Sequence, residues 1–140
     1  GNMMSVEVIE HEGTRYAEII WADTTVEHTT FFSPAESSFQ FGLLSHKAGY
    51  VEPSHYHQPF TREISDLQQM FVVQRGKVAV RLFTDGGELL REVMMTAGDA
   101  IVLIHGVHAF GWLRTCSASA SNRDLFWELT ETRFSLPRSK

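Results

Sequence analysis

The sequence predicts an all-β domain, a sandwich or small barrel. Three observations carry that prediction. Apolar and polar residues alternate at period two, as in Val78, Val80 and Leu82 around Ala79 and Arg81. Short runs rich in β-branched and aromatic residues recur at a spacing of roughly 8–12 residues. Turn signals separate the runs, and helical periodicity is nearly absent.

Taken in order, the expected strands begin with Tyr16 to Trp21. After Ser33-Pro34, Phe39, Phe41 and Leu43 alternate with Gln40 and Gly42, which reads as a half-buried strand. The turn Ala48-Gly49 follows. Arg62 to Gln69 is the one plausible helical turn, with Ile64 and Leu67 three apart, but it lacks the length of a stable helix. Met70 to Val73 and Val78 to Leu82 read as strands. Asp85-Gly86-Gly87 then predicts a hairpin, because glycine takes positive φ at no steric cost. Glu92 to Met95 and Ile101 to Ile104 are strands on either side of the turn Ala97-Gly98-Asp99. Thr115 to Asn122 is small and polar and reads as a mobile loop ahead of a last strand, Leu125 to Leu129. The expected core is Phe41, Leu43, Phe71, Val73, Val78, Val80, Leu82, Ile101, Leu103 and Phe126.

Composition bounds the function. A chain of 140 residues with 43% apolar and 21% charged content is expected to form one globular domain rather than a disordered segment. The net charge of -5, with no basic cluster, argues against nucleic acid as a partner. The single cysteine, Cys116, rules out an internal disulfide and a multi-cysteine zinc module. It has no evident base beside it, so it makes a poor nucleophile. The longest plainly apolar run, Ala100 to Ile104, falls far short of a membrane span. With no signal peptide in view, the expectation is a cytoplasmic protein that does not bind membranes. Gly1-Asn2 ahead of Met3-Met4 reads as an expression scar, which makes 1–4 a disordered start, 5–136 the domain and 137–140 a disordered tail.

The histidines carry the chemical signal. His55 and His57 lie two apart in Gly49-Tyr50-Val51-Glu52-Pro53-Ser54-His55-Tyr56-His57. On a strand, such positions share a face about 6.6 Å apart, so two imidazoles can converge on one ion while Tyr56 points away. An isolated pair of this kind is more often a polar strand edge. His108 changes the balance. It follows the turn Gly98-Asp99, the apolar strand and the glycine turn His105-Gly106. If its strand lies beside the one carrying His55 and His57, three imidazoles face one cavity. Three histidines with open positions suit a divalent transition metal that keeps water or substrate as a ligand. His11, His28 and His46 lack partners at useful spacing, and His105 reads equally as a solvated turn residue or a ligand contact.

In this frame the chain resembles the cupins, small jelly-roll barrels with two metal-binding motifs. Gly49, His55, His57 and Gly76 match the first motif, with Gln69 where the family carries Glu. Gly98, Asp99, Gly106 and His108 match the second, with Ile104 where proline is usual and the histidine one residue early. The likeness is closer to a group of small single-domain cupins, some associated with polysaccharide genes. It rests on Phe31-Phe32-Ser33-Pro34, Arg62-Glu63-Ile64, Leu67 to Val73 and His105 to Phe110. It covers roughly residues 15–134 by eye. An insertion, Gln58 to Gln68, stands between His57 and Gln69 where the family has a short link.

The resemblance implies an all-β cupin-type jelly-roll β-barrel (a double-stranded β-helix), with metal ligands His55, His57, Gln69 and His108. The cofactor would be zinc, nickel, iron or manganese. The ligand would be a small molecule, an oxygen-rich acid or sugar derivative, and the assembly a homodimer paired through sheet edges. Gln69 is neutral, so the metal keeps its full charge, affinity drops and a bound water becomes more acidic. Glu63 or Glu52 is the candidate for the missing carboxylate. No catalytic residue is named, because this fold hosts many reactions.

Two other functions fit the same residues. One is a metal-independent sugar-nucleotide isomerase or epimerase with His55 or His57 as general base. It needs a phosphate-binding cation in the pocket, and Arg81 and Arg91 read as outward-facing. The other is a non-catalytic ligand-binding module with a degenerate metal site, supported by Gln69.

Overall fold

The computed structural model describes residues 6–113. The described residues form nine strands and no helix: β1 (Glu7–His11), β2 (Thr14–Ile20), β3 (Thr30–Phe31), β4 (Gly42–Leu43), β5 (Gln69–Val72), β6 (Lys77–Phe83), β7 (Leu89–Thr96), β8 (Ala100–Leu103) and β9 (Val107–Leu113). None of them could contribute a helix long and apolar enough to cross a membrane. Every strand pair is antiparallel. One sheet runs β1-β2-β8-β5, another β7-β6-β9, and β3-β4 is a short ribbon. Among the described residues, no sheet closes on itself.

The alternation read from sequence decides which faces meet. Val78, Val80 and Leu82 on β6, with Val93 and Met95 on β7, pack against Ala17, Ile19, Ile101 and Leu103 of the other sheet. All of these side chains are buried, and they form the main core. A second cluster, Val6, Ile20, Phe41, Ala100 and Val102, covers the outer face of β2 and β8, with Phe32 and Leu43 packed on it. The order is therefore loop and ribbon, four-stranded sheet, core, three-stranded sheet.

The β6–β7 hairpin turns at Asp85-Gly86-Gly87 as expected, closed by Gly87 N–H to Thr84 O at 2.9 Å and Thr84 N–H to Glu88 O at 2.8 Å. The turn Ala97-Gly98-Asp99 joins β7 to β8. Its Asp99 carboxylate accepts the N–H groups of Ala22 and Thr96, both at 2.8 Å.

Three expectations need correction. Phe39 to Leu43 is not one strand, because only Gly42–Leu43 pairs. The Gln40 side chain donates to the carbonyls of Pro34, Ala35 and Ser37, and Phe41 N–H donates to Ser33 Oγ. The Ser33 hydroxyl thus takes the Phe41 N–H that a ladder would have used, and the Gln40 side chain holds the 34–37 turn in front of it. Arg62 to Gln69 forms no helical turn, and Gln69 instead opens β5. Phe71, expected in the core, is 41% exposed, on a strand that lies at the sheet edge among the described residues. Phe126, the strand at Leu125 to Leu129 and Cys116 lie outside the described residues.

Candidate functional site

β9 carries His108 on the face that meets the core. The register pairs Val78 with Trp112, Val80 with Phe110 and Leu82 with His108. Because those β6 residues belong to the core, His108, Phe110 and Trp112 share the inner face. β5 repeats the pattern opposite. Gln69 pairs with Leu103 and Phe71 with Ile101, so Gln69 and Phe71 face inward as well. The rings of Phe71 and Phe110 touch across the gap between the sheets, 5.2 Å between centroids in an edge-on contact. Gln69 and His108 each stand one rung further along their own strand. Two of the four predicted ligands therefore occupy facing inward rungs of the two sheets.

Burial gives His108 a further property. Desolvation lowers its pKa from the ordinary 6.5, which keeps the imidazole neutral at pH 7. Neutral imidazole is the form that ligates a metal. Its ring also packs edge-on against Phe110, with centroids 5.4 Å apart.

His55 and His57 sit in an exposed segment without strand pairing. Their ring centroids are 5.4 Å apart at a steep angle. That is close enough for two imidazole nitrogens, each about 2.0–2.1 Å from an ion, to share it. His55 Nδ1 lies 3.1 Å from the Pro53 carbonyl oxygen, which only accepts. The ring proton therefore belongs on Nδ1, leaving Nε2 as the ligating atom. Glu52 approaches His55 at 3.9 Å, and Tyr56 is exposed. The structure does not bring this pair to His108. Among the described residues, no three His, Cys, Asp or Glu side chains come together to hold an ion.

No family model, curated protein or solved structure matches this chain.

The remaining candidates separate cleanly. His105 Nε2 lies 2.8 Å from Asp85 Oδ2, tying the β8–β9 turn to the β6–β7 hairpin, and its ring sits edge-on to the buried Tyr16 at 5.0 Å. His46 stacks on Tyr50 at 4.2 Å and meets Thr29 Oγ1 at 3.1 Å. Arg81 bonds Glu92 at 2.8 Å, and Arg91 pairs with Glu7. Both arginines named for phosphate binding are therefore engaged by carboxylates. Glu63, in the exposed 58–68 stretch, touches neither His108 nor Gln69 among the described contacts, while its neighbour Arg62 sits over the Phe60 ring at 4.6 Å.

Sequence reasoning missed two features. One is a groove of about 430 Å³ between the sheets, lined by Phe71, Phe110, Trp112, Val72 and Arg75 among others. It begins at the Phe71–Phe110 contact and runs away from Gln69 and His108. The other is Glu18, which is 2% exposed beside Val102 on β8. Its Oε1 accepts from Arg15 at 3.0 Å, and its Oε2 has no partner among the described residues. The alternation of β2 placed Glu18 between apolar neighbours without showing that both faces of that strand are covered.

Proposed function

We propose that the chain is a cupin-type jelly roll that holds one divalent transition metal through His55, His57, His108 and Gln69. The metal's open positions take a small oxygen-rich molecule, an acid or a sugar derivative. One observation carries the reading: Gln69 and His108, named from two separate motifs, fall on facing inward rungs next to the Phe71–Phe110 contact. The sheet order supports it as well. β9 pairs only with β6 among the described residues. Its other edge is where the His55–His57 segment would lie in a closed barrel.

The donor set fits a transition ion. His108 is kept neutral by burial, and His55 offers Nε2 while Nδ1 is committed to a carbonyl. A bound ion would supply Lewis acidity, polarising an oxygen of the ligand or acidifying a water. The chain's own contribution is an aromatic wall, Phe71 and Phe110, which stands beside the rung that carries Gln69 and His108. With Gln69 in place of a carboxylate, the site keeps more positive charge and so favours anionic oxygen donors.

Elemental analysis of the purified and metal-reloaded chain, beside a His55→Ala/His57→Ala variant, tests the reading. The expected result is close to one metal per native chain and none in the variant. No retained metal after reloading with zinc, nickel, iron and manganese in turn would leave the non-catalytic binding module as the better reading.

A further inference from the structure

The groove of about 430 Å³ between the sheets is built unevenly. Val80, Met95 and Ile101 form its floor, and each is 1% exposed or less. Phe71 and Trp112 stand on its walls, 41% and 66% exposed. The floor thus belongs to the core, while the walls reach the surface. Sites for small molecules are concave, mostly apolar and about 300–1,000 Å³ in volume, with a few polar groups that fix orientation. The groove has that size and that lining.

Its polar groups gather at one end. The edge-on contact of Phe71 with Phe110 bounds the groove toward Gln69 and His108, neither of which lines it. At the other end the lining includes Gln74 and Arg75, from the link between β5 and β6. Arg75 is exposed and makes no ion pair among the described residues. The carboxylate of Asp99, whose turn bonds the chain at Val73, is committed elsewhere: it accepts the N–H groups of Ala22 and Thr96. A guanidinium fork matches a carboxylate in shape and charge. A guanidinium at the end of an apolar cleft therefore complements a molecule with a hydrocarbon body and an acid head.

We propose that this groove binds a single-chain aliphatic carboxylate, its hydrocarbon over Val80, Met95 and Ile101 and its carboxylate on Arg75. From Phe71 to Arg75 an extended chain covers at most roughly 13 Å, which about eight to ten chain carbons would span. Burial of methylenes supplies the affinity, and the charge-assisted hydrogen bonds of Arg75 select the acid. The site lies beyond the Phe71–Phe110 contact from Gln69 and His108, so the inference stands whether or not a metal binds.

Calorimetric titration of octanoate, hexanoate and 1-octanol into the metal-free full chain tests it, with methyl resonances placing the ligand. The expected result is one octanoate per chain, bound about 15-fold more tightly than hexanoate, which is two methylenes shorter. 1-Octanol keeps the hydrocarbon and lacks the charge, so it should bind at least about tenfold more weakly than octanoate. Arg75→Gln, a change at an exposed position, should weaken octanoate by about tenfold and leave 1-octanol as it was. Octanoate should shift the methyl signals of Val78, Val80, Met95 and Ile101. Failure of octanoate to bind saturably would overturn the proposal and leave the metal reading to its own test. Equal affinity for octanoate and 1-octanol would overturn it too, as would an unchanged affinity in Arg75→Gln or methyl shifts confined to residues outside the groove. So would contacts in the ligand-free protein that fill the groove with another part of the chain or with a second copy.

Discussion

Gly106 has no room for a side chain. It sits at φ 81°, and a Cβ there would lie 2.6 Å from Tyr16 Cε2 and 2.7 Å from the Phe83 carbonyl oxygen. Backbone strain and overlap act together, so Gly106→Ala should cost about 2–4 kcal/mol. Urea unfolding would show this as a lower midpoint at unchanged slope, and an unchanged midpoint would refute it. The glycine was legible in the sequence as part of a motif, but its reason was not, because Tyr16 lies far away in the chain. His108 supplies a pH dependence. Burial holds its pKa below 6.5, so between the lowered value and 6.5 the unfolded chain binds more protons than the folded one. Metal-free protein should therefore lose stability as the pH falls through that window and regain it as the pH rises. In His108→Phe that part of the slope should vanish, which urea midpoints measured from about pH 8 to 5 would show.

At the scale of elements, Asp99 matters more than its place in a turn indicates. Its carboxylate holds Ala22 N–H after β2 and Thr96 N–H at the end of β7. The same turn bonds the chain beyond β5, through Gly98 N–H to Val73 O at 2.7 Å and Val73 N–H to Asp99 O at 2.9 Å. One turn thus fastens the ends of three strands and the start of a fourth. Asp99→Ala should cost roughly 2–3 kcal/mol, since it leaves two backbone donors without an acceptor. Circular dichroism melts against the native chain would check it, and an unchanged melting temperature would contradict the role. Strands with strict alternation were legible in advance: β2, β6, β7 and β8 fall where period two and the turn glycines put them. The stretch Phe39 to Leu43 misled, because Gln40 and Ser33 spend their hydrogen bonds on the backbone and hold a loop. Phe71 misled for another reason: periodicity gives the inward face but not that β5 has a neighbour on one side alone among the described residues.

At the scale of the whole molecule, the sequence names four ligands from two distant motifs, and only register can say whether they converge. Register puts Gln69 on the inward face of β5, which pairs with β8, and His108 on the inward face of β9, which pairs with β6. The His55–His57 pair has no strand pairing to carry it there, so periodicity and contacts are silent on its approach. Charge was legible at this scale too: Arg81 and Arg91, read as outward-facing, are spent on Glu92 and Glu7. The central claim is that these four side chains serve one ion. Calorimetric titration of metal into the apo chain, His108→Ala and Gln69→Glu tests it most directly. The account predicts one site per chain and tighter binding in Gln69→Glu, where a carboxylate returns. It predicts a loss of more than about 100-fold in His108→Ala, beyond what changes around a ligand cost. Equal affinities in all three proteins would contradict it.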